Sequence, residues 1–343
     1  MNSYERYMGV LNGIPVDVLP RTPILMQYAA EHIGADYAGF ASDYRILVKA
    51  NLTCAEAFGF DQISCISDPY RETQGFGASI KYVKNGPPIS THPLKENKSL
   101  ASLRKPDPLA SDRMLDRINA VRAYKRQCGQ AYSILGWIEG PAAEAADLRD
   151  VSDFLMDLVA DEPFACDLMD VCVETGIEFA RAQVQAGADT IGIGDAIASQ
   201  VSPDMYERLI QPRERRLISA VKEMGAFVKL LICGNITHLL PGIADLDIDI
   251  LDVDHMVGMR TVRDAIGNGV VLAGNIDPVS GILHGTPDLI RRKVLETYEI
   301  VGNPFIVNAG CEIPSGTPRE NLKALCEPVP YRPESDRKRG KGK

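Results

Sequence analysis

Eight short apolar runs recur along the chain, and each is typical of a β-strand. Several are continuously hydrophobic, without alternating polar residues, as expected for parallel strands covered on both faces. The runs therefore predict a buried parallel sheet. They are Pro23–Met26, Gln62–Ser67, Ser133–Gly140, Thr190–Asp195, Phe227–Gly234, Ile248–Asp254, Val270–Asp277 and Pro304–Cys311.

The segments between these runs carry helix start and stop signals: a capping oxygen, a proline at the first helical position and a closing glycine. Proline inside such a segment bends or breaks the helix. Four helices are predicted on this basis: Asp161-Glu-Pro163 to Gly187, Ser202-Pro203 to about Gly225 with a bend or break at Pro212, Thr286-Pro287 to about Gly302, and one after Thr317-Pro318, where Glu320 would complete a capping box.

Strand followed by helix, repeated about eight times, predicts an α/β fold of the (β/α)8 TIM barrel type, as a single domain over residues 1–330. A doubly wound open sheet is the alternative. No Gly-x-Gly-x-x-Gly turn follows the first run and no P-loop occurs, which disfavours that alternative. After strand 2 comes a loop-rich excursion, Asn85–Asp112, which is either a lid over the barrel mouth or a plain surface loop.

Composition narrows the class of protein. The 343 residues are 45% hydrophobic and 24% charged, which is ordinary for a soluble globular protein, and no apolar stretch reaches membrane-spanning length. A formal charge of −9 disfavours a nucleic-acid partner. Eight cysteines without close pairing, and no signal-peptide layout at the start, predict a cytoplasmic protein with reduced thiols. The basic end, residues 331–343, is predicted to be a disordered tail.

Reactive side chains gather where the predicted strands end, which in a barrel is the mouth that carries the chemistry. One or two of the acids there are expected to cap the following helices instead. Trp137 is expected either to form the floor of a flat ligand pocket or to pack in the core. The residues at these ends are Gln27, Ser67, Asp68, Trp137, Glu139, Asp195, Cys233, Asn235, Asp254, His255, Asn275, Asp277, Cys311 and Glu312, and Glu72 lies close enough to join them.

Cys233 and Cys311 each end an apolar run and are followed at once by glycine or polar residues. Thiols at the ends of two barrel strands, far apart in sequence, can meet at one mouth and bind zinc. The alternative is that both are small buried core residues, as free cysteines often are.

Six stretches resemble the uroporphyrinogen decarboxylase superfamily, and within it the branch of cobamide-dependent methyltransferases. The similarity covers about Pro20 to Pro328 and is densest after Trp137. The family fold is a (β/α)8 barrel, in agreement with the strand pattern. The stretches are Gly136-Trp-Ile-Glu-Gly-Pro-Ala-Ala-Glu-Ala-Ala-Asp-Leu148, Gly192-Ile-Gly-Asp195, Leu231-Ile-Cys-Gly-Asn235, Leu251-Asp-Val-Asp254, Gly274-Asn-Ile-Asp-Pro278 and Asn308-Ala-Gly-Cys-Glu-Ile-Pro314.

The resemblance implies a zinc ion held by a His-x-Cys pair at the fifth strand and a cysteine at the eighth. Cys233 and Cys311 match the two cysteines, but Leu231 stands where the histidine is expected. His255 is the predicted substitute ligand, with Asp254 or Glu312 as alternatives. Weak metal binding or a metal-free site also remains open.

The resemblance also separates the two branches of the family. The decarboxylases carry an arginine after the first strand that holds the porphyrinogen carboxylates. This chain has Ile24-Leu-Met-Gln-Tyr-Ala-Ala-Glu31 there, with no arginine. Since a guanidinium is the best partner for a carboxylate, porphyrinogen decarboxylation is disfavoured.

The expected activity is therefore that of a methyltransferase, which moves a methyl group between a methylated small molecule or a thiol and a cobamide carried by a partner corrinoid protein. Glu139, Asp195 and Glu72 are predicted to orient the substrate or shuttle a proton, and Asn235, Asn275 and Trp137 to contact the cofactor. Two alternatives remain: a metal-free decarboxylase of the same fold, and a non-catalytic ligand-binding barrel that has lost its metal.

Overall fold

Seven parallel strands pair in chain order to form one curled sheet. The structure, a computed structural model, describes residues 1–333, so most of the predicted tail, 331–343, lies outside the described residues. Two further strands, β2 (Ile80–Val83) and β3 (Gly86–Ser90), form a separate antiparallel hairpin. The strands of the main sheet are β1 (Gln62–Ser64), β4 (Ser133–Glu139), β5 (Thr190–Gly194), β6 (Phe227–Leu231), β7 (Ile250–Val253), β8 (Val271–Ile276) and β9 (Phe305–Ala309).

The segment from Pro20 onwards closes the sheet into a barrel. Val307 on β9 donates its backbone N–H to Pro20 and accepts one from Thr22, at 2.8 and 3.0 Å. On the other side, the N–H of Asp61, just before β1, donates to the carbonyl of Arg21 at 2.8 Å. The predicted (β/α)8 barrel is therefore confirmed, with one correction.

The correction concerns the predicted first strand, Pro23–Met26, which forms no ladder. The pairing here reduces to an isolated bridge between Arg21 and Val307. Proline has no N–H to donate to a ladder, so Pro20 and Pro23 leave this segment too few donors for regular pairing.

Helices pack around the sheet, and all four predicted in the sequence are present at the expected places, the second of them interrupted as expected. None of the helices in residues 1–333 is both long and apolar enough to cross a bilayer. The helices are α1 (Ser3–Leu11), α2 (Gln27–His32), α3 (Tyr37–Ser42), α4 (Tyr44–Phe58), α5 (Arg71–Gly75), α6 (Asp112–Cys128), α7 (Pro141–Arg149), α8 (Val151–Ala160), α9 (Glu162–Ala186), α10 (Pro203–Met205), α11 (Gln211–Glu223), α12 (Leu240–Ala244), α13 (Met259–Ile266), α14 (Pro287–Val301) and α15 (Arg319–Leu325), with 3-10 turns at Leu100–Ser102, Ala196–Gln200 and Thr237–Leu239 and π-helical segments at Tyr206–Ile210 and Pro278–Leu283.

The capping signals explain most of these boundaries. The side chain of Thr286 accepts the N–H of Leu289 at the start of α14. Gly187, with φ of 115°, ends α9 in the left-handed region that favours glycine. The bend expected at Pro212 appears as the π-helical segment Tyr206–Ile210, immediately before α11.

The predicted capping box at the last helix is wrong. Helix α15 begins at Arg319, with Pro318 at its N-cap and no side-chain capping bond. The hydroxyl of Thr317 donates backwards to the carbonyl of Pro314 at 2.7 Å and so is directed at the preceding turn. A threonine hydroxyl can bond to either neighbouring turn, and here the preceding turn takes it.

The barrel interior is layered from one end to the other. At the amino ends of the strands, α1 plugs the barrel, with Tyr7 and Val10 packed against Ile250 and Val271. The middle layer is polar: Lys229 and Asp252 form a fully buried ion pair, to which Asn308 also donates. Above it lies an apolar layer of Ile24, Ile66, Leu135, Trp137 and Leu231, which forms the floor of the mouth.

Candidate active site

Cys233 and Cys311 lie two residues beyond the ends of β6 and β9, and their Sγ atoms are 3.8 Å apart. The two thiols are within hydrogen-bond distance of each other. This contact lowers the pKa of Cys311 and, together with burial, raises the pKa of Cys233. Side chains along a strand alternate in direction, so Cys233 faces the interior as Leu231 does.

Local backbone geometry holds the two thiols at this spot. Gly234 has φ of 99°, which places the chain after Cys233 in the left-handed region, and its N–H donates to Asp254 Oδ2 at 2.9 Å. Before Cys311, Gly310 passes so close to His255 that a Cβ there would lie 2.4 Å from the His255 backbone nitrogen. Each cysteine is therefore next to a glycine. The missing side chain of that glycine allows the backbone conformation or the close contact that positions the cysteine.

The thiols border a cavity of about 180 Å³ at the mouth. Its floor is the apolar layer of the barrel, so most of its surface is hydrocarbon. No residue of the excursion 85–112 borders this cavity. The segment packs outside the barrel, where the Leu94 N–H donates to the carbonyl of Leu148 on α7 at 2.9 Å. The lid interpretation therefore has no support. The cavity is lined by Ile24, Met26, Ile66, Asp68, Pro69, Trp137, Glu139, Gly194, Ala196, Leu231, Cys233, Cys311 and Glu312.

Trp137 forms one wall of the cavity, and two glycines on the next strand make room for it. A Cβ at Gly192 would lie 2.2 Å from the indole ring, and one at Gly194 would lie 2.9 Å from it. The indole N–H donates to Glu139 Oε1 at 3.1 Å, which fixes the ring plane. The Gly-x-Gly in this strand thus provides space for an aromatic wall.

Glu139 lines the cavity and is anchored from behind. Its Oε1 accepts from Arg71 Nη2 at 2.5 Å as well as from Trp137. Burial raises the pKa of Glu139 well above its ordinary value, although the Arg71 charge opposes the shift. Of the three acids predicted to be catalytic, it alone borders the cavity.

Glu72 is a support for Glu139 rather than part of the cavity wall. It is buried on α5, where its Oε1 accepts the backbone N–H of Glu139 at 3.0 Å. Its Oε2 lies 3.7 Å from Arg71 Nε. Burial raises the pKa of Glu72. The structure therefore places this predicted acid one layer behind the site.

Asp195 does not face the cavity, contrary to the sequence-based expectation. Its carboxylate is fully buried and accepts the N–H groups of Ala142 and Ala143 at 3.3 and 2.7 Å, which caps the start of α7. Burial raises the pKa of Asp195 to about 7. Gly140 allows this approach, since a Cβ there would lie 2.5 Å from the Asp195 side chain.

The structure does not bring His255 to the two thiols. Its Nδ1 lies 3.0 Å from Asp254 Oδ1, its Nε2 lies 3.8 Å from Asp277 Oδ2, and its side chain is 37% exposed. Asp254, which contacts the His255 ring, also accepts the backbone N–H groups of Gly234 and Met256.

Asn235 and Asn275, predicted to contact the cofactor, lie outside the cavity lining. Asn235 is exposed, and its side-chain oxygen accepts the Thr237 N–H at 3.0 Å in a local turn. The Asn275 amide donates to the carbonyls of Asp254 and Val257 and so ties β8 to the loop after β7. Both side-chain amides therefore form hydrogen bonds with backbone groups and do not face the cavity.

Two cavity acids were not assigned a catalytic role from the sequence. Asp68 accepts two hydrogen bonds from Arg113, at 2.7 and 2.6 Å, which helps to hold its pKa below the ordinary range despite burial. Glu312, beside the second thiol, accepts the Gln27 N–H at 3.1 Å, and burial raises its pKa to about 7. The adjacency of Glu312 to Cys311 was the available signal for it.

The residues that could hold a metal here are the two cysteines. Within residues 1–333, no cluster of three or more His, Cys, Asp and Glu side chains is arranged around one point. Leu231, on the inward face of β6 below Cys233, contributes an aliphatic side chain to the apolar floor. The described residues therefore supply a pair of sulfurs and an apolar floor.

Comparison with known proteins shows that the chain is similar to one family over nearly its whole length. The profile of the uroporphyrinogen decarboxylase (URO-D) family matches residues 2–330. The methylcobamide:CoM methyltransferase MtbA of Methanosarcina mazei is 28% identical over 333 residues, which cover 94% of this chain and 96% of that protein. A uroporphyrinogen decarboxylase of Microcystis aeruginosa is 24% identical over 337 residues, 93% and 95% of the two chains.

The solved structures include a methyltransferase from Methanosarcina mazei with a TM-score of 0.87 to this chain. The sequence identity is 28%, and the superposition covers 95% of this chain and 97% of the other. With the family profile extending over nearly the whole sequence, the chain belongs to the uroporphyrinogen decarboxylase family.

Proposed function

We propose that this member of the uroporphyrinogen decarboxylase family is a methyltransferase that moves a methyl group between a small methylated compound or thiol and a cobamide carried by a separate corrinoid protein. The proposal rests on one observation above all: two thiols from β6 and β9 meet at 3.8 Å on the rim of a cavity. Relatives named as methylcobamide:CoM methyltransferases match nearly the whole chain, which supports the same class of chemistry.

Zinc is the metal that this pair would hold. Two sulfurs bound to one tetrahedral zinc ion at about 2.3 Å lie roughly 3.8 Å apart, and the two Sγ atoms here have that separation, 3.8 Å. When bound, zinc would supply a Lewis acid that favours the deprotonated form of a thiol. Cys233 and Cys311 would provide two of its four positions, which leaves the others to substrate and solvent.

The remaining groups of the cavity have distinct parts in this proposal. Trp137, fixed by its bond to Glu139, would stack against a flat substrate. Glu312, with a pKa raised to about 7 by burial, would take the proton of a thiol acceptor or return one to a departing oxygen. The acceptor atom provides the electron pair of the new bond to carbon, and the donor atom keeps the pair of the broken bond.

Porphyrinogen decarboxylation receives no support from the site. No arginine lines the cavity, so carboxylate side chains of a substrate would find no bidentate partner. Arg71 and Arg113, which lie nearest, are already bonded to Glu139 and Asp68. We therefore expect no release of CO2 when the purified protein is given a uroporphyrinogen.

The test is methyl transfer from methylcobalamin to a thiol, followed by the change in the visible spectrum as the cobalt–carbon bond is lost. Cys233→Ala and Cys311→Ala should each lower the rate at least about 100-fold, because each removes a group in direct contact with the reaction. Cys128→Ala is the matched control, because Cys128 is a half-buried thiol at the end of α6 and does not line the cavity. This variant should keep the rate of methyl transfer of the parent protein. Equal rates in all three variants would contradict the proposal.

A further inference from the structure

We infer that the cavity takes an uncharged substrate about the size of a single ring and rejects anions, including thiols that carry a sulfonate. This inference rests on the proposed function and adds the class of substrate to it. It depends on three features of the same cavity: the charges on its wall, the partners of the nearest arginines, and its volume.

The charged groups on the wall are all acids. Asp68, Glu139 and Glu312 border the cavity, and no lysine, arginine or histidine does so. An anion placed among these three acids would lose its water without gaining a basic side chain as counter-ion. Such desolvation is among the costliest steps in binding.

The two arginines closest to the cavity are not available to an incoming anion. Arg113 donates to both oxygens of Asp68, at 2.7 and 2.6 Å, and Arg71 donates to Glu139 at 2.5 Å. Both guanidinium groups are buried behind the acids that they neutralise. A substrate anion would have to displace a buried ion pair to reach either of them.

The third acid in the cavity wall, Glu312, brings no positive charge with it among residues 1–333. Glu312 is hydrogen-bonded to the backbone N–H of Gln27, and it forms no ion pair with a basic side chain among residues 1–333. The remaining wall is hydrocarbon and the indole face of Trp137. The cavity as a whole thus ranges from neutral to acidic and is suited to an apolar, uncharged guest.

The volume sets the size of that guest. The cavity measures about 180 Å³, and an engineered protein cavity of roughly 150 Å³ holds one benzene ring. A single-ring methyl ether or a short methyl thioether therefore fits beside Trp137, whereas a tetrapyrrole does not. Relatives whose names specify coenzyme M act on a sulfonate anion, so the inferred specificity departs from theirs.

The experiment is calorimetric titration of the full-length protein with two thioethers that differ mainly in charge, 2-(methylthio)ethanol and 2-(methylthio)ethanesulfonate, and with anisole as a ring-sized probe. We expect the alcohol and anisole to bind at least tenfold more tightly than the sulfonate. Sulfonate binding as tight as that of the alcohol, or no binding of either neutral probe, would overturn the inference.

A charge variant provides a second, independent measurement. Met26 lines the cavity and is partly exposed, so Met26→Arg would place a guanidinium at the wall and should raise sulfonate affinity at least tenfold. Met156→Arg, on the outer surface of α8 where the methionine is 64% exposed, is the matched control and should change neither affinity. An unaltered sulfonate affinity in a folded Met26→Arg protein would count against the inference.

The two proposals fail in different ways. Methyl transfer from methylcobalamin to a sulfonate-bearing thiol as readily as to a neutral one would refute the substrate class and leave the proposed function standing. Neutral probes bound at the expected affinity, with no methyl transfer to any thiol, would refute the proposed function and leave the description of the cavity intact.

Discussion

Replacing Leu231 by histidine is expected to convert the pair of thiols into a three-ligand zinc site. Leu231 is on the inward face of β6, two residues before Cys233, and lines the same cavity. Because side chains two apart on a strand share a face, an imidazole at this position would point towards the sulfurs. Imidazole nitrogen and thiolate together form a common zinc ligand set.

The expected free energies are large enough for the gain in zinc affinity to be measured. Leu231 is 5% exposed and packs against Ile24, Ile66 and Trp137, so its loss costs at most about 1.5–3 kcal/mol of folding free energy. Structural zinc sites with four protein ligands bind with about 10–16 kcal/mol, or roughly 3 kcal/mol per ligand, which is about a hundredfold in dissociation constant. We therefore expect the metal-free variant to be less stable than the parent protein and the zinc-loaded variant to recover that loss.

The assay is competition for zinc against a chromophoric chelator, with cobalt substitution as a second readout. Thiolate-bound cobalt(II) absorbs strongly in the near ultraviolet, and its visible bands report the coordination number. Leu231→Gln introduces a polar side chain that is a poor zinc ligand and serves as the matched control. A zinc affinity for Leu231→His that does not exceed that of Leu231→Gln would refute the reasoning, because the three side chains would then not converge on one ion.

Three further predictions follow from buried groups. Gly192→Ala should cost about 1–3 kcal/mol of unfolding free energy and shift the fluorescence of the single tryptophan, whereas Gly269→Ala, with open space around it, should do neither. Burial raises the pKa of Asp195 to about 7, so the unfolding free energy should fall as the pH rises through that value; Glu214→Gln should reduce the fall because it removes a second carboxyl group whose pKa is raised by burial, and equal pH profiles would refute this. Lys229→Met should lower the unfolding free energy, measured in denaturant, by about 3–5 kcal/mol, since it leaves the Asp252 carboxylate buried without its cationic partner. A loss below about 1 kcal/mol would contradict a stabilising role for this ion pair.

The strands could be predicted because their hydrophobicity reflects burial on two faces. Seven of the eight apolar runs coincide with strands of the sheet, each a little longer than the ladder itself. The extra residues include the two candidate site thiols: Cys233 and Cys311 follow the ladders by two positions and meet at the mouth of the barrel. The run Pro23–Met26 differs because proline cannot donate to a ladder, although the chain still closes the barrel there.

The directions in which the acidic side chains at the strand ends point could not be predicted in the same way. An acid after a strand can face the mouth or cap the next helix, and the sequence around Asp195 does not distinguish the two. The choice depends on Gly140, whose missing Cβ lets the carboxylate reach the start of α7. The arginines that neutralise Asp68 and Glu139 come from helices α6 and α5, and no spacing in the sequence pairs them with these acids.

The two departures from the family pattern, Leu231 in place of a histidine and no arginine after the first strand, affect the same cavity. Both remove polar groups from its wall, yet the ion pairs Arg71–Glu139 and Arg113–Asp68 persist at its edge. Buried ion pairs stabilise a fold little, and often less than apolar residues of similar size would. Their position beside the two thiols therefore supports the proposed site and its preference for uncharged substrates, in which both acids of the cavity edge already have a cationic partner.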